Sequence, residues 1–189
     1  MHLIAALDRA TADQEGLRAR AQADLGLTLF RAGDPVRAVE LAQGALALAE
    51  GSGDRQAQAQ AHNMLGVLAR SEGAADRARE HLERSLAVAR DLQDAPAETA
   101  ALNNLALVRR DEGALSEALE LTERALSLCS RYGDRHREAA LENNLADLHH
   151  AVGDTDASMA HLRRAVAIFR EVGADDATRL PEIWKLVSW

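Results

Sequence analysis

The sequence predicts an all-α solenoid of antiparallel helix pairs, and two observations carry that prediction. Gly33, Gly73, Gly113 and Gly153 stand forty residues apart, and other columns keep the same register. Leu25, Leu65, Leu105 and Leu145 recur, each followed by a small residue: Gly26, Gly66, Ala106 and Ala146. Ala38, Ala78, Ala118 and Ser158 form a third column, and Ala45, Ser85, Ala125 and Ala165 a fourth. A fixed period of about 20–50 residues marks one supersecondary unit stacked on copies of itself. The second observation is composition: 47% of the residues are apolar but only 3% aromatic, with Ala and Leu dominant. Closely packed helices suit that balance and a sheet does not.

The elements follow in order along a single array spanning 1–189. Residues 2–13 read as the latter part of a second helix, since Ala6-Leu7 matches Ala45-Leu46 and Ala125-Leu126. This half-repeat fits a piece excised from a longer protein, or a native N-terminal capping helix. Four full repeats are expected at 14–53, 54–93, 94–133 and 134–173. In the first, Asp34-Pro35 places a capping side chain before a proline at the first helical position. In the third, Ala101, Leu102, Leu105 and Val108 fall on one helical face, preceded by Asp94 as N-cap and followed by Gly113 as a left-handed C-cap. Its second helix carries Leu115, Ala118, Leu119, Thr122, Ala125, Leu126 and Cys129 on one side and stops at Gly133-Asp134. Asp54, Asp94 and Asp134 repeat the capping position. Residues 176–189 break the period, and Leu180, Ile183, Trp184 and Val187 suit a short C-terminal helix capping the last apolar face.

The third repeat, with Leu105-Ala106, Gly113, Ala118 and Ala125, resembles the tetratricopeptide repeat. The resemblance covers residues 15–173. The usual unit has about 34 residues; this one has forty and is similar to the longer variety in kinesin light chains and LGN-like scaffold proteins. That family implies a right-handed superhelix whose first helices line a concave groove, and a role in binding protein or peptide segments. One departure concerns the large aromatics common in the first helix: Gln22, His62, Leu102 and Glu142 hold one such column. Aromatic ligand pockets therefore do not carry over. The C-terminal ten residues resemble the ends of actinobacterial regulators with STAND-type or MalT-like modules, which implies a sensor or scaffold region of a larger signalling protein.

The resemblance places a defined set of side chains in the groove. They are Asn63, Asn103 and Asn143 in one column, Asn104 and Asn144 in the next, and Arg70 and Arg110 farther along. Asp147 and His150 line the fourth repeat, while Asp24 and Met64 hold the Asn104 position in the first two. Asparagine is a poor helix-interior residue, so five of them mid-helix carry a penalty. An amide offers donor and acceptor together and matches the backbone of an extended peptide. In the related groove proteins such asparagines act as backbone clamps, with Asn104 and Asn144 the best matches by position. Two readings stand: the amides clamp a ligand, or they bridge adjacent first helices. Arg70 and Arg110 would select an acidic ligand group, or pair with a neighbour such as Asp111. Phe30 would anchor a ligand at the groove edge or pack internally.

Other chemistries find little support. The chain has no P-loop, dinucleotide fingerprint or zinc-protease motif. His149 and His150 point about 100° apart on a helix, and His81 and His161 share a column two repeats apart. No metal or cofactor is therefore expected, and an enzyme built on His136, His149 or His150 is disfavoured. The formal charge of −8 opposes direct nucleic-acid binding, and no segment reads as a membrane span. The single Cys129 excludes an internal disulfide and fits a reducing, cytoplasmic setting, with the thiol buried on an apolar stripe. The expected function is non-enzymatic binding of an extended peptide or partner segment. The rival is a structural element that self-associates through its terminal helices.

Overall fold

A computed structural model describes residues 14–175, so the expected helix at 2–13 and cap at 176–189 lie outside the described residues. Among the described residues all regular structure is helical, in eight helices: α1 (Glu15–Arg31), α2 (Pro35–Ser52), α3 (Arg55–Ser71), α4 (Ala75–Asp91), α5 (Ala95–Asp111), α6 (Leu115–Tyr132), α7 (Arg135–Ala151) and α8 (Thr155–Asp175). Two compact units divide the chain, the first ending at Val108 and the second beginning at Arg109.

The helix boundaries have local causes. Asp54, Asp94 and Asp134 each accept a hydrogen bond from the backbone N–H three residues on, at 2.9, 3.0 and 3.0 Å. Each thereby satisfies one of the unpaired N–H groups that open a helix. Asp34 does the same for Arg37 ahead of Pro35. At the other ends the backbone turns left-handed, as at Gly113 with φ of 80°. There a side chain would crowd the backbone and glycine does not.

In the first unit, α1, α2 and α3 pack through stacked alanines. Ala19, Ala49 and Ala57 form one buried layer and Ala23, Ala45 and Ala61 the next. Methyl groups at these crossings let the backbones approach closely. A larger apolar cluster of Ala38, Ala42, Met64, Leu65 and Leu68 fills the end of the pair, with Phe30 packed against it. Phe30 is thus an internal packing residue. Met64, at the position Asn104 holds in the third repeat, is only 4% exposed and belongs to this core. Between α3 and α4 the approach is close at Gly66, where a Cβ atom would lie 2.5 Å from Leu82 Cγ.

In the second unit, Ala139, Ile168 and Phe169 form a core between α7 and α8. Cys129 is fully buried, and its thiol donates to the Asp134 carbonyl at 3.3 Å. Burial pushes that thiol's pKa up, so it stays protonated and unreactive. Among the described residues no helix is long and apolar enough to cross a membrane.

Candidate functional site

In the first unit the first helices α1, α3 and α5 are joined by polar side chains at matching register. Gln60 on α3 donates to Asp24 on α1 at 2.6 Å, and Arg20 reaches Asp54 at 2.6 Å. Asn104 on α5 donates its Nδ2 to Asn63 Oδ1 on α3 at 3.0 Å. Both asparagines are half-buried. The bond sets the rotamer of each amide while committing one Asn104 hydrogen and one Asn63 acceptor position. An amide has two N–H hydrogens and a carbonyl with two lone pairs, so donor and acceptor capacity remains on each. Of the two sequence readings, the bond is the bridging one: Asn63 and Asn104 tie adjacent first helices together.

The repeated Asp54 position has an electrostatic role as well. Burial raises its carboxyl pKa, but the Ala57 N–H, the Arg20 guanidinium and the Gln56 N–H outweigh that and hold it below the usual value. The carboxylate both caps α3 and ties α1 to it. Arg70 sits half-buried in the last turn of α3, and Asn103 is half-buried on α5.

The second unit holds the other expected residues. Asn144 is half-buried, whereas Asn143 is only 6% exposed, so its amide sits largely within the packing. Asp147 and His150 are exposed on α7. Arg110 contacts Asp111 at 3.3 Å, the ion pair anticipated as its alternative. Asp147 has a raised pKa because its surroundings desolvate the carboxylate more than Arg110 and His150 stabilise it. Among the described residues no three His, Cys, Asp or Glu side chains gather to hold a metal ion.

The sequence reading did not find two polar pairings within helix pairs. In the second and fourth repeats, His62 and Glu142 each meet the residue nineteen positions later. His62 Nδ1 lies 3.0 Å from His81 Nδ1, and Glu142 Oε2 lies 2.7 Å from His161 Nδ1. The signal was present: ionisable residues at both columns in the second and fourth repeats, apolar or neutral ones in the first and third.

A family model for the tetratricopeptide repeat matches residues 2–91 and 98–171. This chain belongs to the tetratricopeptide repeat family. Its solved tetratricopeptide-like neighbours include BtubC (BKLC) from P. vanneervenii, 21% identical with a TM-score of 0.74, covering 95% of this chain and 74% of that one. A putative kinesin light chain from Podosopora anserina, with nearly identical TPR-like repeats, is 22% identical with a TM-score of 0.63 over 88% of this chain and 78% of its own. A Rap protein complexed with Competence and Sporulation Factor is 16% identical with a TM-score of 0.75, covering 89% of this chain and 47% of that one. At these identities the likenesses establish the tetratricopeptide fold. Among curated proteins, none matches this chain by sequence.

Proposed function

We propose that this tetratricopeptide chain binds an extended peptide or partner segment along the face formed by its first helices, as the sensor or scaffold region of a larger cytoplasmic regulator. The observation that carries this reading is the half-buried Asn63–Asn104 amide pair, linked at 3.0 Å. Amides held in this way recognise backbone rather than side chains, which suits a ligand defined by its extended form. The second unit carries its own groups for a bound segment: the Asn144 amide, with Arg110 and Asp147 supplying opposite charges. The Rap protein complexed with Competence and Sporulation Factor is a precedent in the same fold.

The test is a library of immobilised twelve-residue peptides probed with the full chain and with the Asn63→Ala/Asn104→Ala variant. Peptides retained by the wild type should lose roughly 10-fold or more in affinity, as expected for two lost backbone hydrogen bonds. Unchanged affinity in a variant of undiminished helicity would reject the clamp. A second reading, self-association, draws on Leu17 and Val36, which are 67% and 68% exposed. Light scattering of the full chain and of one lacking residues 176–189 tests it; a dimer that dissociates without the tail favours assembly.

A further inference from the structure

We propose that the His62–His81 pair makes the α3–α4 joint a pH-sensitive latch, closed while at least one imidazole is neutral and released when both are protonated. The geometry is the starting point. The two Nδ1 atoms face each other at 3.0 Å, with ring centroids 5.3 Å apart. With opposite tautomers, one neutral ring donates its N–H to the lone pair of the other. A single added proton leaves a donor and an acceptor in place. A second turns both atoms into donors at that separation, and the bond becomes a repulsion.

The carboxylates nearest the pair, Glu72 and Glu80, are each already paired with an arginine and offset that repulsion only in part. His62 is 7% exposed, and His81 borders a small cavity of about 60 Å³. Around that cavity α2 contributes only Val39 and Gln43, α3 contributes Leu65, Leu68, Ala69 and, past its end, Glu72, and α4 contributes Arg77. Glu72 is already paired with Arg77 at 2.8 Å, and Glu80 with Arg84 at 2.7 Å. Burial, then the charges of His81 and Arg84, drive the His62 pKa from 6.5 down to about 4, against a smaller opposing effect of Glu80. Burial also lowers the pKa of His81, opposed by Glu80 and reinforced by Arg84 and Arg77.

The other repeats show what is distinctive. In the fourth, Glu142 faces His161 at 2.7 Å, so a protonated imidazole there meets a carboxylate. In the first and third, the same columns hold Gln22 with Leu41 and Leu102 with Leu121. The second repeat alone sets two bases at these columns. Asn63 follows His62 on α3, so release of the joint would also disturb the Asn63–Asn104 bond. That consequence rests on the binding reading; the latch does not.

The sign follows from linkage. The unfolded chain takes up protons on these imidazoles near 6.5, while folded His62 does so near 4. The His62 contribution is complete above 6.5 and lost progressively as pH falls toward 4, and the lowered His81 pKa acts with the same sign. From pH 7.0 to 5.0, His62 alone raises the unfolding constant by about 20-fold.

Urea unfolding of the full chain at both pH values, in wild type and in His62→Leu/His81→Leu, reads this directly. That variant borrows the residues the third repeat carries at the same columns. The wild-type rise should exceed that of the variant by about 20-fold; equal rises would overturn the latch. Should the double leucine variant not fold, proton NMR titration of the wild-type rings decides. A His62 midpoint below pH 5 supports the latch, and one near 6.5 overturns it. Hydrogen exchange at pH 4, where folded His62 takes up its proton, adds a local readout. Protection lost first in α3 and α4, before α7 and α8, is expected, and uniform loss would count against the proposal.

Discussion

Glycine at position 66 is a packing requirement, and its replacement by alanine can be worked through from the contacts. A Cβ built on Gly66 lies 2.5 Å from Leu82 Cγ, 2.7 Å from Leu82 Cδ2 and 3.2 Å from the Ala78 carbonyl oxygen. Carbon atoms prefer separations of about 3.5–4.0 Å, so the overlap is close to an ångström. Leu82 is fully buried and Ala78 O belongs to the α4 backbone, so neither yields freely. Overpacking of this kind costs about 1–3 kcal/mol, while alanine in place of mid-helix glycine returns up to about 1 kcal/mol. Gly66→Ala should therefore lose about 1–2 kcal/mol net. Gly26 holds the same column in the first repeat and serves as the control. There the nearest atoms are Ala38 O at 3.3 Å, Leu41 Cβ at 3.5 Å and Met64 Cε at 3.7 Å. Gly26→Ala should be neutral or stabilising by up to about 1 kcal/mol, because the helix-propensity gain prevails. Urea denaturation followed by far-ultraviolet circular dichroism measures both. In a Leu82→Ala background, the Gly66→Ala change should turn from a loss to a gain as the new methyl enters vacated space. The reasoning fails if Gly66→Ala is as stable as Gly26→Ala, or if Leu82→Ala leaves its cost unchanged.

Two further predictions rest on single side chains. Asp54→Ala removes the α3 cap and the Arg20 tie, and should cost about 1–2 kcal/mol by thermal unfolding near neutral pH. Because the folded carboxyl is held below its usual 3.8, that contribution is complete above 3.8 and is lost as pH falls through the folded value. The deficit of the variant should accordingly shrink in strong acid; a deficit constant with pH would argue against an ionised cap. Gln93 has a φ of 55° where Gly53 and Gly133 occupy the equivalent column. Gln93→Gly should gain about 0.5–1 kcal/mol by relieving the left-handed backbone, and a loss of stability would refute that origin.

Much of the fold was legible along the chain because its causes are local. Asp54, Asp94 and Asp134 cap helices through bonds spanning three residues, and Gly113 ends one through its own φ. The stripe of Ala101, Leu102, Leu105 and Val108 is buried as its spacing predicts. These features need only the helical period and the steric character of one residue. The candidate site was less legible. Asparagine at 63 and 104 could be placed on neighbouring first helices, yet whether the amides touched depended on the crossing of α3 and α5. Met64 holds the Asn104 position of the second repeat and was expected on the groove face, but the packing of α1 to α3 drew it into the core.

The sequence by itself determined the family, the forty-residue unit, the alternation of helix and turn, and which helix faces are apolar. Tertiary structure decided which side chains meet across those faces. Repeat period says that His62 and Glu142 hold one column and His81 and His161 another; it does not say that the columns meet. The same holds for Gly66 against Leu82. Periodicity is set by bonds within a turn of helix, whereas these meetings depend on the offset and crossing of two helices, which the packed side chains settle together.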